Sequence, residues 1–175
     1  VSLVDTQSCD ITIDEAETSK ILTQIESFQK SIKTMSATFK QTSLFLGLNQ
    51  EKKSSGIFHF KAPGKMKWNY QKPEQQDFIS DGNIMWFFQP SLEQVTIASF
   101  KESFTSDLPV SFLLGLGTVS KFFEVAKACK NETTTTLTLI PLAQDNSVAE
   151  FQLELDNGKS FPRRVLISDI GGNET

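Results

Sequence analysis

The sequence predicts a mainly β protein: one long amphipathic helix near the N-terminus, followed by an antiparallel meander of strands. Three observations predict it. Apolar residues recur at helical spacing from Ile21 to Met35, the period changes to two from Ala37 onward, and turns bearing Gly, Pro or Asn separate the alternating segments. At 175 residues the chain is expected to form one domain, 1–175, burying about 70% of its unfolded surface.

The helix comes first. In "ETSKILTQIESFQKSIKTM", Ile21, Leu22, Ile25, Phe28, Ile32 and Met35 form one stripe, while Lys20, Gln24, Glu26, Lys30 and Lys33 lie elsewhere. A helix of roughly 20 residues follows, capped by Asp14 or Thr18. Its basic residues are balanced by Glu15, Glu17 and Glu26, so the stripe is expected to cover a core rather than lie on a membrane.

Strands follow. Apolar and polar residues roughly alternate in "SATFKQTSLFL" and cleanly in "GIFHFKAPGKMKWNY". The latter places Phe58, Phe60, Met66, Trp68 and Tyr70 on one face, and His59, Lys61, Lys65, Lys67 and Asn69 on the other. Pro63-Gly64 and Asp81-Gly82 are turn signals between adjacent strands. "LEQVTIA", "TTTTLTLIPL" and "VAEFQLELDNGKSFPRRVLISD" continue the meander, the last folded at Asn157-Gly158. In "QDFISDGNIMWFFQP" large apolar residues occupy both parities, so alternation does not say which of Phe78, Ile79, Met85, Trp86, Phe87 and Phe88 face a core.

Between Pro109 and Lys127 the alternation breaks. "DLPVSFLLGLGTVSKFFEV" reads as a short helix over Pro109–Leu114, a loop, and a second apolar segment around Phe122-Phe123. Two helical pieces inserted in a curved sheet are expected on its concave side.

Composition narrows the function classes. Of the aromatic residues, Phe supplies 15, Trp two and Tyr one; Phe has no polar handle and belongs in dry space or against an apolar ligand. The net charge of −4, with lysines and acids interspersed, argues against a nucleic-acid surface and for a soluble chain. No apolar run approaches the roughly 20 residues that span a bilayer, and "VSLVDTQSCDITIDEAETSK" has no signal-peptide pattern. His59, alone among strand lysines, reads as a surface residue. The chain has no Cys/His metal spacing, phosphate-cradling glycine loop, serine elbow or thiol–imidazole pair. No enzyme, metal or cofactor is expected. Asn131-Glu132-Thr133 fits a glycosylation acceptor, a triplet that arises often by chance. Cys9 and Cys129 could form one disulfide or be two buried thiols.

The motifs also carry a resemblance. "SATFKQ" after an amphipathic helix, "SGIFHFKAPGKMKWNY..P", "QDFISDGNIMWFFQPSLEQV", "LPVSFLLG" and "TTTLTLIPL" stand in the order seen in the periplasmic outer-membrane lipoprotein carriers, the LolA family. Each motif alone is weak, and the ordered series from about Ala16 is the specific signal. The resemblance implies an incomplete antiparallel β-barrel closed by a lid of helices, with a hydrophobic cavity for the acyl chains of lipoproteins. On this reading Phe58, Phe60, Met66, Trp68 and Tyr70 line the cavity, and Ile21, Ile25, Phe28, Leu113 and Leu114 belong to the lid. It also implies the periplasm of a Gram-negative bacterium after signal-peptide removal, a monomer, and no nucleic-acid partner. Cargo would come from an inner-membrane ABC-type release complex and pass to an outer-membrane acceptor. That compartment favours a Cys9–Cys129 disulfide. Rival readings are the acceptor itself, a lipid-binding sensor of the same fold, and a lipid hydrolase for which no nucleophile–base pair is visible.

Two departures from the family pattern stand out. Many members carry an arginine before the strand-linking proline, where it can latch the lid; here that position is Ala62, and Lys61 is expected to point the other way. The chain also stops at "ISDIGGNET", where relatives continue into closing strands, so an exposed edge is expected near Ile167.

Overall fold

The computed structural model describes residues 10–99, 119–142 and 148–175. Its described residues form two compact units. One comprises those within Val1–Lys30, Leu44–Gln50 and Gly117–Thr175; the other comprises those within Ser31–Ser43 and Glu51–Leu116. The fold is mainly β, as predicted, with two antiparallel sheets whose strand orders are open rather than circular.

In the first unit, β1 (Ile11–Thr12) leads into helix α1 (Glu15–Ser31). Asp14 is the cap: its Oδ1 accepts the Glu17 N–H at 2.7 Å, and its backbone oxygen accepts both the Thr18 N–H and the Thr18 hydroxyl. Thr18 therefore lies in the first turn, where Glu15 and Glu17 also suit the positive end of the helix dipole. The helix has 17 residues and stops short of the sequence expectation. Ile32 and Met35 keep the helical spacing but leave the helix, Met35 for strand β2 (Thr34–Phe45). Both pack on a cluster of Phe58, Phe60 and Met66, and burial there outweighs the small propensity gain of another helical turn.

The five-stranded sheet of this unit has the order β1-β8-β9-β10-β11. Its longer strands are β8 (Phe123–Lys130), β9 (Thr134–Pro141), β10 (Val148–Asp156) and β11 (Arg164–Asp169). The second apolar segment is thus divided: Val119–Phe122 is a single helical turn, α2, and Phe123 already begins β8. A register shift between Val125 and Lys127 hid that strand from the alternation rule. Leu137 opposes Leu153 and Leu139 opposes Phe151, and with Leu155 these form a dry layer; Leu137 and Leu153 are wholly inaccessible.

The turns of this sheet are tied by two asparagines. Asn131 Oδ1 accepts the backbone N–H groups and hydroxyls of Thr133 and Thr134. Asn157 Nδ2 donates to the carbonyls of Asn131 and Glu132 at 3.1 Å each, while its Oδ1 accepts the Thr135 hydroxyl at 2.8 Å. Asn157→Asp would place a carboxylate against two carbonyl oxygens. We expect it to cost about 1 to 2 kcal/mol in urea unfolding; an unchanged midpoint would show that this side chain does not hold the turn.

The exposed edge expected near Ile167 is absent. Gly171 and Gly172 reverse the chain, with Gly172 at φ 82°, and Thr175 returns alongside Ile167, exchanging backbone hydrogen bonds of 2.8 and 2.9 Å. Glu174 bridges Ser168 and Leu44. Asp169 fixes the reversal by accepting the side-chain and backbone N–H groups of Asn173, and the Asn173 side chain, ahead of the backbone donors, holds its carboxyl below the usual carboxylate range. The local turn, invisible to alternation, covers the edge.

The second unit carries a six-stranded meander in sequence order, β2-β3-β4-β5-β6-β7. After β2 come β3 (Gln50–Lys61), β4 (Lys65–Lys72), β5 (Gln76–Asp81), β6 (Ile84–Gln89) and β7 (Gln94–Ser99). The Pro63-Gly64 and Asp81-Gly82 turns sit where the sequence puts them, with Gly64 at φ 68° and Gly82 at φ 100°. Asp81 Oδ1 accepts the N–H groups of Asn83 and Ile84, and these donors, Ile84 first, hold its carboxyl below the usual range. Among the described residues, no helix is long and apolar enough to cross a membrane.

Candidate functional site

Hydrogen-bond register decides which side chains share a face, since directly paired residues on adjacent strands point the same way. Across β3 and β4, Phe58 pairs with Trp68, Phe60 with Met66, and Gly56 with Tyr70. Across β4 and β5, Trp68 pairs with Phe78 and Met66 with Ser80. Across β5 and β6, Phe78 pairs with Phe87 and Ser80 with Met85. One face of the six-stranded sheet therefore carries Phe58, Phe60, Met66, Trp68, Tyr70, Phe78, Met85 and Phe87. The double-parity stretch is resolved: Phe78, Met85 and Phe87 join that face, while Ile79, Trp86 and Phe88 take the other.

Six aromatic rings run in unbroken contact over this face. Phe58 and Trp68 have centroids 4.5 Å apart, and Phe39 sits edge-on to both Trp68 and Tyr70 at 4.9 Å. Tyr70 meets Phe78 at 5.9 Å, and Phe78 stacks on Phe87 at 4.2 Å. Edge-to-face and offset geometries of this kind are each worth about 0.5–1.5 kcal/mol beyond area burial. Burial grades across the face: Phe58, Phe60 and Met66 are buried, whereas Phe39, Trp68, Tyr70, Phe78, Met85 and Phe87 are half-buried. Phe39 passes close over Gly56, the position on β3 that has no side chain.

The face has few polar groups. The Tyr70 hydroxyl donates to Gln41 Oε1 at 2.9 Å, and burial pushes its pKa up. Ser80 Oγ accepts the Gly82 N–H at 3.0 Å. Trp68 Nε1 is buried and has no hydrogen-bond partner among the described residues. The opposite face is charged at β3 and β4, where exposed His59 pairs with Lys67, and Lys67 meets Asp77 at 3.1 Å. No group of metal-ligating residues occurs among the described residues.

The other residues singled out by the sequence fall as follows. Ala62 is exposed, and its N–H donates to the Lys33 carbonyl at 2.8 Å. In the first unit, Ile25 is fully buried, Ile21 half-buried, and Phe28 39% exposed with its ring edge-on to Phe161. Leu113 and Leu114 lie outside the described residues, as do the helix expected over Pro109–Leu114 and the sulfur of Cys9. Cys129, on β8, is disulfide-bonded. Sequence reasoning missed Phe39 as part of the aromatic face, although its place in "SATFKQ" alternates correctly; β2 had no turn signal to connect it to Trp68.

Comparison with known proteins adds the following. The family described as outer membrane lipoprotein carrier protein LolA matches residues 30–175. An outer-membrane lipoprotein carrier protein of Nitrosomonas europaea is 32% identical over 123 residues, which are 70% of this chain and 59% of that protein. The chain thus spans less than two thirds of that relative. A protein of the same description from Chromobacterium violaceum is 29% identical over 152 residues, covering 87% of this chain and 71% of its own. Among solved structures, a DUF1329 family protein from Desulfovibrio piger superposes with a TM-score of 0.52 at 11% identity, covering 91% of this chain and 76% of that one. That likeness is one of fold alone.

Proposed function

Because the chain belongs to the LolA family of outer membrane lipoprotein carriers, we propose that it binds the acyl chains of lipoproteins on the aromatic face of its six-stranded sheet. It carries them across the periplasm from the inner to the outer membrane. Phe58, Phe60, Met66, Trp68 and Tyr70, with Phe39, Phe78 and Phe87, are the residues assigned to that contact. The observation that carries this reading is the unbroken run of six rings, most of them half-buried. Apolar surface of that kind favours a partner that removes it from water.

The chemistry suits a shuttle. Each methylene taken from water is worth about 0.8 kcal/mol, so complete enclosure of two or three long chains would bind too tightly to release. A graded face buries part of each chain. Ring and thioether contacts are non-directional, so they tolerate chains of different length and let them slide. On this reading cargo arrives from an ABC-type release complex in the inner membrane and leaves for an acceptor at the outer membrane. Native mass spectrometry of the protein isolated from its own periplasm is the direct test. We expect a population carrying a di- or triacylated lipoprotein. Recovery of lipid-free protein alone, under conditions that retain lipid on a known carrier, would count against the assignment. A diacylglyceryl group attached covalently to this chain would make it an acceptor instead.

A further inference from the structure

Trp68 raises a question that its packing does not answer. Its ring lies between Phe39 and Phe58, and apolar contact there could be supplied by a third phenylalanine in a chain that uses Phe 15 times. Instead the position carries an indole whose Nε1 is buried, with no hydrogen-bond partner among the described residues. The neighbouring Tyr70 shows the contrast, because its hydroxyl is satisfied by Gln41 at 2.9 Å. A buried donor left unmade is costly, whereas the same donor meeting a carbonyl in a dry setting gains a strong hydrogen bond. Apolar ring contacts on either side can part to admit a chain, since no directional bond holds them.

We propose that the Trp68 N–H is the polar anchor of the lipid face, donating to an acyl ester carbonyl where the fatty chains join the glyceryl group. This inference rests on the lipid-binding reading above and adds to it a chemical selectivity. Hydrocarbon alone would slide freely along the rings; an ester carbonyl caught at Trp68 would set how deep the chains lie. Trp68 is then a positioning and specificity residue, and Phe39 and Phe58 are the walls that keep its donor dry.

The test compares a dioleoyl glycerol diester with the matching dioleyl glycerol diether, each displacing a fluorescent hydrocarbon probe from the full chain. The native protein is expected to prefer the diester by about fivefold, the effect of one hydrogen bond. Trp68→Phe is expected to lose the preference, binding diester and diether with equal affinity. In the native protein the Trp68 indole proton, assigned against a Trp86→Phe variant, is expected to move downfield on adding diester and to stay in place with diether. Equal affinity of the native protein for both lipids, or a preference retained in Trp68→Phe, would overturn the anchor while leaving the lipid face intact. Failure of the native protein to bind either lipid would instead overturn the lipid-binding reading, and the anchor with it. If Trp68→Phe fails to fold, the indole proton decides alone: a shift with diester only supports the anchor, and any other response overturns it.

Discussion

Gly56→Ala is expected to cost about 3 kcal/mol or more, although it adds a single methyl group. Gly56 is buried on β3 opposite Tyr70, next to a register shift in the β3–β4 ladder. A Cβ there would overlap the carbonyl oxygen of Asn69 and stand 2.9 Å from both the Asn69 carbonyl carbon and Phe39 Cε1. The ring cannot swing away without giving up its edge contacts to Trp68 and Tyr70 at 4.9 Å. The carbonyl cannot move without disturbing the ladder itself. Gly47→Ala is the control: nothing lies within 4 Å of its added Cβ, and the change should fall within about 0.5 kcal/mol. Chemical denaturation of both variants, followed by circular dichroism, reads the difference. A Gly56→Ala protein as stable as Gly47→Ala would mean that Phe39 does not rest against β3.

Met66→Glu is expected to be nearly as severe, with a pH dependence that identifies the cause. Met66 is 5% exposed and belongs to a buried cluster with Phe58 and Phe60, against which Ile32, Met35, Phe39, Trp68 and Met85 pack. A carboxylate in that setting is desolvated, and the cluster residues described around it carry no cation, so its pKa in the folded protein rises above the unfolded value. A raised folded pKa means that the variant is least impaired below the unfolded carboxylate range, and that stability is lost as pH rises through the folded value. We expect a deficit of about 3 kcal/mol at pH 8 that narrows at pH 5, measured by urea unfolding. Met66→Leu, which keeps the volume, should cost under about 1.5 kcal/mol at both pH values. A deficit independent of pH would place position 66 in contact with water.

The parities of β3 and β4 were legible because alternation and turn agreed: one row is apolar, the other carries His59 and lysines, and Pro63-Gly64 sets the register. The helix was legible from its stripe, and the choice of Asp14 over Thr18 as cap needed only the local hydrogen bonds. Other features had no local signature. In β5 and β6 both parities are apolar, so sequence pattern cannot choose between them. The choice was made by pairing with β4, which sets Phe78 beside Trp68 and Phe87 beside Phe78. Ile32 and Met35 continue a helical spacing by themselves; only contact with Phe58, Phe60 and Met66 draws them out of the helix. β8 was masked by its register shift, and the cover over Ile167 depends on one aspartate–asparagine contact closing a glycine turn.

The division has one physical cause. Periodicity along a chain reports whether a segment has an apolar side, and turn residues report where it reverses; both are local and survive in the sequence alone. Which apolar side is buried, and against what, is settled by partners distant in sequence, such as Phe39 with Trp68 and Tyr70. By itself the sequence determined that this protein presents Phe58, Phe60, Met66, Trp68 and Tyr70 together. Only the tertiary structure decided that Phe39, Phe78 and Phe87 extend that row into one aromatic face, and that Trp68 holds its N–H there without a protein partner among the described residues.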